Sequence, residues 1–207
     1  MLTFFAQDAA THTLRYANAD LTKATHHDEV LAFCDYWRTV TGADPQQLVF
    51  DGRLTTQTQL AALNDRGVRF WTLRTRSIAV TRHIAKLKDA QWRTVGLDRN
   101  GNYKTPNVVD EQVRLSAYPA PIRQLVITGL GHDEPTVLIS NDFDASPKKI
   151  IERYGRRMNI EQRLGEAIRA FHLDALSFAV PLNVDLDVVL SVLAGAVCAS
   201  LRRRLTG

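Results

Sequence analysis

Two carboxylates, Asp51 and Glu161, occur where the sequence predicts rigid elements. Asp51 follows the apolar run 47–50, which is typical of a buried strand, and Glu161 lies in a stretch with helical periodicity. Acidic side chains on rigid elements can hold two divalent ions about 3.5 to 4 Å apart, the arrangement that suits phosphoryl transfer on a nucleic acid. Asp51 and Glu161 are therefore the candidate ligands for Mg²⁺ or Mn²⁺.

Tyr154, Arg157 and Glu161 are separated by three and then four residues. On an α-helix this spacing places all three side chains on one face. In a functional interpretation, this face looks across at Asp51. The same spacing also fits an ordinary ion pair between Arg157 and Glu161, which contributes about 0.3 to 0.5 kcal/mol at a helix surface.

Basic residues are concentrated in the middle of the chain. Ten Lys or Arg residues and three Asp residues lie from Asp65 to Lys104, although the net charge of the whole chain is only +4. A polyanion such as DNA would be attracted to this stretch, and a solvated basic face is the alternative. The residues predicted to contact DNA phosphates belong to this stretch or flank the Tyr154 face: Arg74, Arg76, Arg82, Lys86, Lys88, Arg156 and Arg163.

The elements that must position these residues can be predicted from periodicity and from turn residues. The first half of the chain predicts a hairpin of strands at 2–8 and 13–21, a helix at 26–40, a strand at 47–50, a helix at 55–66 and a strand at 68–73. The order strand, helix, strand around Asp51 indicates an α/β sheet that presents the carboxylate at a strand end.

The second half predicts a looser segment and then two further strands and two helices. Turn residues separate alternating stretches between 78 and 121, and this pattern indicates a β-rich insertion. Paired strands are predicted at 122–128 and 136–140, followed by a long helix from Pro147 to about His172 and a last helix from Asp187 to Leu205, which would cover one face of the sheet. We therefore predict a partial core at 1–77, an inserted subdomain at 78–121, and final strands and helices that complete the core at 122–207.

Composition places the chain among soluble globular proteins. Its 207 residues are 45% hydrophobic and 23% charged, which is ordinary for such a protein. The most apolar run, 188–199, is shorter than the roughly 18 to 20 residues of a membrane span, and the N-terminus does not resemble a secretory signal. We expect a cytoplasmic protein without a membrane partner.

The region around Glu161 resembles the signature of the insertion-sequence DDE transposases. The strand at 138–141 is followed at 154–161 by Tyr-Gly-Arg-Arg-Met-Asn-Ile-Glu, which matches the family's Tyr, two residues, Arg, three residues and Glu. The family continues with six residues and a Lys, where this sequence has Ile168 followed by Arg169. The run 48–55 and the apolar positions after it are similar to the family's second-aspartate region, so the similar regions span nearly the whole chain.

The resemblance implies a ribonuclease H-like mixed sheet with a β-rich insertion between the second Asp and the Glu helix. It implies that Asp51 and Glu161 are the second and third catalytic carboxylates and bind Mg²⁺ or Mn²⁺. Tyr154 and Arg157 would orient Glu161 or contact a phosphate near the scissile bond. The implied reaction is cleavage and transfer of DNA strands, with the double-stranded DNA of transposon ends and target as partner. The implied location is the nucleoid, and a homodimer is one assembly that this interpretation admits.

The family also implies a first metal-binding Asp on a strand that precedes the hairpin at 2–21. We therefore expect the 207-residue chain to be N-terminally truncated relative to the family and inactive on its own. The alternative is a catalytically inactive remnant that binds DNA or a transposase subunit and acts as an inhibitor or has no function.

Overall fold

The computed structural model describes residues 2–98, 103–157 and 181–206. The chain divides into two compact units, one made of residues 1–33 and 156–207 and the other made of residues 34–155. The first unit contains a two-stranded sheet and the second a six-stranded sheet. Glu161 and Arg163 lie outside the described residues.

The described residues contain eight β-strands and five α-helices, and this mixture confirms the predicted α/β class. The strands are β1 (Leu2–Gln7), β2 (Leu14–Leu21), β3 (Gln47–Phe50), β4 (Arg69–Leu73), β5 (Arg93–Thr94), β6 (Asn107–Val113), β7 (Ile122–Thr128) and β8 (Thr136–Ser140). The helices are α1 (Glu29–Thr41), α2 (Gln57–Asp65), α3 (Ile78–Ile84), α4 (Pro147–Gly155) and α5 (Pro181–Thr206).

The predicted hairpin is confirmed in the first unit, where β1 and β2 pair antiparallel. Asp8 fixes the turn between them, because its carboxylate accepts hydrogen bonds from the backbone N–H groups of Ala10 and Thr11. The bond from the Thr11 backbone is the main reason that the pKa of Asp8 lies below its ordinary value. The sequence therefore contains a local turn signal, namely an Asp whose side chain accepts hydrogen bonds from backbone N–H groups that follow it in the chain.

The last helix of the chain, α5, packs against β2. Val188 is buried against Ala19, and Phe5 and Ala17 pack around this pair. The helix contains the predicted range 187–205 and begins earlier, at Pro181, since proline suits the first turn of a helix. Within the part of the chain that the structure describes, no helix combines the length and the apolarity needed to cross a membrane.

The second unit is built on a mixed sheet with the strand order β3, β4, β8, β7, β6, β5. The pair β3 and β4 is parallel, and all other neighbouring strands are antiparallel. The hairpin of β7 and β8 confirms the predicted pair of strands at 122–128 and 136–140. One edge strand of the sheet is β3, which ends at Phe50, directly before Asp51.

Cap and turn residues specify the segment that contains β3, α2 and β4. Thr56 and Gln59 form a capping box in which the side chain of each accepts a hydrogen bond from the backbone N–H of the other. Leu60 and Leu63 bury one face of α2. Gly67 then turns the chain into β4 with a φ of +72°, a conformation that glycine adopts without steric cost. These signals account for the agreement between the predicted and the observed elements here.

The segment 78–121 supplies α3, β5 and β6. β6 pairs with β7 along its whole length, from Asn107 opposite Thr128 to Val113 opposite Ile122. β5 pairs with β6 in turn. The strands of the segment that was predicted as an insertion therefore lie in the same six-stranded sheet as β3 and β4.

The helix predicted from Pro147 to about His172 is wrong in its extent. Pro147 is its first residue, as expected, but α4 ends at Gly155, and Arg156 and Arg157 form a turn. Glycine lowers the stability of a helix by about 1 kcal/mol relative to alanine. A prediction from apolar periodicity does not take this difference into account. The remainder of the predicted helix lies outside the described residues.

The core of the second unit lies between the sheet and α4. Trp71 on β4 is completely buried and forms its centre, together with Ile150 and Ile151 of α4. Leu125 and Leu138 extend the same cluster onto β7 and β8. This core anchors α4 on β3 and β4, and Asp51 directly follows β3.

Candidate functional site

Asp51 lies directly after β3, at the carboxyl-terminal end of the strand. Its side chain is half-buried, and one carboxylate oxygen accepts a hydrogen bond from the backbone N–H of Arg53 at 3.0 Å. This bond caps the short 3₁₀ helix Gly52–Leu54. The turn that follows β3 therefore fixes this carboxylate at the carboxyl-terminal end of the strand.

Gly52 brings this turn close to the end of β4. A Cβ added to Gly52 would lie 2.1 Å from the carbonyl oxygen of Leu73, a backbone atom that cannot easily move. The same two strands are also joined by a hydrogen bond of 3.0 Å from the Thr72 hydroxyl to the carbonyl oxygen of Phe50. Only glycine fits at position 52, and Asp51 is consequently fixed beside the residues that follow β4.

Arg74 follows β4 at this same edge and is held by a network of polar groups. Its backbone N–H donates to the carbonyl oxygen of Val137 at 2.8 Å, and its guanidinium donates to the side-chain oxygen of the fully buried Gln124. Gln124 in turn donates to a carboxylate oxygen of Glu111 at 2.8 Å. Burial lowers the pKa of Arg74 from its ordinary value, and the charge of Glu111 opposes that effect. An arginine so placed remains a cation at neutral pH.

An open depression of about 440 Å³ lies beside Arg74 and Arg76, lined by the end of β4 and by residues 132–137 of the loop between β7 and β8. Arg76 forms an ion pair with Glu134, whose side chain is 72% exposed. Asp133 adds a second carboxylate to the wall. A phosphate group bound here would compete with Glu134 for Arg76, and this exchange costs little because exposed ion pairs contribute about 1 kcal/mol or less.

The other cations predicted to contact DNA in this unit are exposed. Arg82 lies on α3, and Lys86 and Lys88 follow that helix. His83, also on α3, has its ring nitrogen 2.8 Å from a carboxylate oxygen of Glu111. Glu111 therefore connects α3 to the network that holds Arg74.

The structure does not place Tyr154 and Arg157 on one face of one helix, so that part of the prediction is wrong. Tyr154 is in the last turn of α4 and packs, half-buried, against the core cluster, as Val49 also does. Arg157 and its neighbour Arg156 follow in the turn after Gly155. Glu161 and Arg163 lie outside the described residues, and the roles of all four residues stay predictions.

Several residues near the site were missed by the sequence analysis. Arg153 places its guanidinium 4.8 Å from the centre of the Trp71 ring, a contact that no local pattern reveals. The indole N–H of Trp71 is buried, with no hydrogen-bond partner among the described residues. Gln124 did leave a signal, because it and its neighbour Arg123 are polar residues near the start of a strand that continues with the apolar run 125–127.

The described residues do not by themselves form a metal site. Carboxylate oxygens such as those of Asp51 suit hard cations like Mg²⁺. In the described ranges, however, no three His, Cys, Asp or Glu side chains converge into a group that could hold a metal ion. Asp51 is the one member of the predicted pair within those ranges, so no chemical step is assigned to a metal ion.

A scan against protein-family models gives no match for this chain, and a comparison with curated proteins gives no significant match.

Proposed function

We propose that this chain is the catalytic-domain part of an insertion-sequence DDE transposase, which cleaves and joins DNA strands with Mg²⁺ or Mn²⁺ as cofactor. The observation that carries the proposal is the placement of Asp51 at the end of β3, at the sheet edge where Arg74 follows β4. In this proposal Asp51 and Glu161 bind the metal, and Tyr154 and Arg157 orient Glu161 or contact a phosphate.

The order and direction of the strands support a ribonuclease H-like core. A hairpin and α1 precede two parallel strands that are connected by α2, and the first of these strands presents a carboxylate. In the described sheet β3 has β4 as its one neighbour, so its other edge is open to a further strand. The proposed core requires such a strand, with the first catalytic Asp, at that position.

The distribution of charge supports double-stranded DNA as the partner. Arg74 and Arg76 lie at the end of the sheet where Asp51 follows β3. Arg82, Lys86 and Lys88 follow them closely in the sequence, and their side chains are exposed. Cations of this kind contact phosphates and provide affinity without reading the base sequence. Arg156 and Arg163 would add to this surface, and DNA binding would associate the chain with the nucleoid.

A second candidate function is binding of DNA or of a transposase subunit without catalysis. The observation that favours it is the hydrogen bond between Asp51 and the backbone N–H of Arg53, because that carboxylate already serves as a helix cap. In this case the chain would act as an inhibitor of the intact enzyme or would have no activity.

Direct binding of Mn²⁺ separates the two candidates without depending on activity. We would titrate Mn²⁺ into the 207-residue chain and follow the free ion by electron paramagnetic resonance, for the wild type, Asp51→Asn and Glu161→Gln. Asp20→Asn is the matched control, since Asp20 is an exposed carboxylate near the end of another strand, β2. The transposase proposal expects weaker Mn²⁺ binding in the two site variants and unchanged binding in the control.

Nicking of double-stranded DNA is the second measurement, made on the chain and on a form extended upstream by its reading frame. Asp51→Asn should abolish Mg²⁺-dependent nicking by an active form while salt-sensitive DNA binding persists. Equal Mn²⁺ affinity in all variants, together with intact DNA binding, would instead support the non-catalytic candidate.

A further inference from the structure

The depression at the end of β4 contains a positive charge that no carboxylate in contact with it neutralises. The guanidinium of Arg74 is half-buried and donates to the side-chain oxygen of Gln124, which is a neutral group. Among the described residues, no carboxylate forms an ion pair with Arg74. A charge that is partly removed from water without a partner is unfavourable, so this arginine should attract an anion that enters the depression.

The position of Arg74 is fixed before any ligand binds. Gln124 is fully buried, and its amide donates to a carboxylate oxygen of Glu111 at 2.8 Å, so that its own oxygen is presented to Arg74. A ring nitrogen of His83 lies 2.8 Å from the same carboxylate and fixes Glu111 in turn. A cation that is already fixed loses little conformational entropy when an anion binds to it.

Arg76 supplies a second cation to the same depression. Arg74 and Arg76 both line it, and its volume is about 440 Å³. The guanidinium of Arg76 forms an ion pair with Glu134. A guanidinium binds a carboxylate and a phosphate in the same way, through two parallel N–H donors and two oxygens. Glu134 therefore occupies a position on Arg76 that a phosphate group could take.

The loop that carries Glu134 can release this side chain without a change in its backbone. One ring nitrogen of His132 lies 2.5 Å from the carbonyl oxygen of Glu134, and the other lies 3.1 Å from the hydroxyl of Thr136. These contacts hold the backbone of the loop, whereas the Glu134 side chain itself is exposed. A change of rotamer into solvent is therefore enough to uncover Arg76.

We propose that Arg74 and Arg76 form a binding site for one phosphate group, and that Glu134 is an internal competitor for this site. Asp133, the second carboxylate of the wall, opposes the phosphate, but it is exposed and its charge is screened by water and salt. Once Glu134 turns away, the two arginines outweigh it. Only the source of the phosphate, the backbone of double-stranded DNA, rests on the proposed function.

The competitor makes the site selective for ligands that contact both arginines. A ligand that contacts Arg76 alone exchanges one exposed ion pair for another and gains little. A phosphate that also contacts Arg74 gains a charge-assisted hydrogen bond to a guanidinium that has no anionic partner of its own among the described residues. Glu134 therefore suppresses weak, single contacts and permits the contact that spans the depression.

Titration of the 207-residue chain with inorganic phosphate, at constant ionic strength, tests the site itself. The Nε–H signals of Arg74 and Arg76 in nitrogen-15 NMR spectra should shift together and reach saturation. Arg74→Gln should raise the dissociation constant at least about tenfold, since a hydrogen bond between charged groups is lost. Circular dichroism shows whether this variant remains folded.

Glu134→Gln tests the competitor, and its exposed position leaves the fold intact. It should lower the dissociation constant for phosphate about three- to fivefold, the range that an exposed ion pair can contribute. Asp144→Asn is the matched control, because Asp144 pairs with Arg69 at the other end of β4 and is similarly exposed. It removes the same charge and should leave the affinity nearly unchanged. Absence of a saturable shift at both arginines, or an equal change in the two variants, would overturn the proposal.

Fluorescence anisotropy with a labelled DNA duplex identifies the source of the phosphate. Tighter binding of both phosphate and duplex by Glu134→Gln, with neither changed by Asp144→Asn, would support a DNA backbone phosphate as the ligand. Tighter binding of inorganic phosphate alone would support the site with a free phosphate or a small phosphate ester as its ligand. In that case the proposed DNA partner would have failed while the phosphate site stands.

Discussion

Arg66 is the residue that ties α1 to the end of α2. Its guanidinium bonds to Asp44 through two nitrogens and to Asp35 through the third. The side chains of Arg66 and Asp44 are 19% and 12% exposed, so this pair is shielded from solvent far more than most surface ion pairs. The hydrogen bond from Arg66 is the largest cause of the lowered pKa of Asp44.

Replacing Arg66 with methionine should lower the free energy of unfolding by about 1 to 2 kcal/mol at pH 7, because Asp44 then loses its main partner. A carboxylate with a lowered pKa stabilises the fold above its ordinary pKa of 3.8, and this contribution is lost as the pH falls through the lowered value. The difference between wild type and variant should therefore shrink in acid. Urea unfolding at neutral and acidic pH measures it.

The exposed Arg114 provides the control for that experiment. Arg114→Met removes the same charge and should change the unfolding free energy by less than about 0.5 kcal/mol. A loss as large in Arg114→Met as in Arg66→Met would show that net charge, rather than the bonds to Asp44, accounts for the effect.

At the scale of elements, two glycines near helix ends differ in backbone conformation. Gly155 closes α4 outside the left-handed region, whereas Gly67 follows α2 with a φ of +72°. A Cβ added at either position would meet no atom within 4 Å. Neither site therefore obstructs an added Cβ, and the backbone conformation alone should determine how a side chain changes the free energy of unfolding.

We expect Gly155→Ala to raise the free energy of unfolding by about 0.5 to 1 kcal/mol, since alanine loses less chain entropy on folding. Gly67→Ala should lower it by about 1 to 2 kcal/mol, because an L-residue is strained in the left-handed region. Chemical denaturation of both variants checks the pair. Changes of the same sign would contradict the conformational explanation.

The same elements show what the sequence could and could not predict. The β3, α2 and β4 unit was predicted because its signals are local, namely the cap at Thr56 and the turn at Gly67. The placement of β4 beside β8, and hence the network through Gln124 that holds Arg74, depends on pairing between strands that are distant in sequence. The predicted extent of α4 was wrong, because the apolar periodicity continues past Gly155 whereas glycine itself has a low helix propensity.

At the scale of the whole molecule, the chain carries a small net charge that is unevenly distributed. The net charge is +4, yet the stretch from Asp65 to Lys104 holds ten of its basic residues. The location of the charge, rather than its total, should therefore govern the DNA binding that we propose for the chain.

Replacing Arg82, Lys86 and Lys88 with glutamine should weaken binding to double-stranded DNA. It should also make the plot of log affinity against log salt shallower by about 0.9 for each phosphate contact that is lost. Fluorescence anisotropy with a labelled duplex at several salt concentrations measures both quantities.

The matched control changes three exposed cations outside that stretch, namely Lys23, Arg114 and Lys149, to glutamine. Net charge falls equally in both triple variants, so the control should keep most of its affinity and its salt slope. An equal loss in the two variants would mean that DNA responds to the overall charge and not to the basic stretch.

The close approach of Gly52 to Leu73 has a consequence for how copies of this sequence should diverge. Loss of the Asp51 carboxylate removes only the cap of a three-residue 3₁₀ helix, whereas any side chain at position 52 must displace the end of β4. Copies that have lost activity but still fold should therefore tolerate change at position 51 and keep glycine at position 52. Copies in which both positions vary freely should be those that no longer experience selection for a folded product.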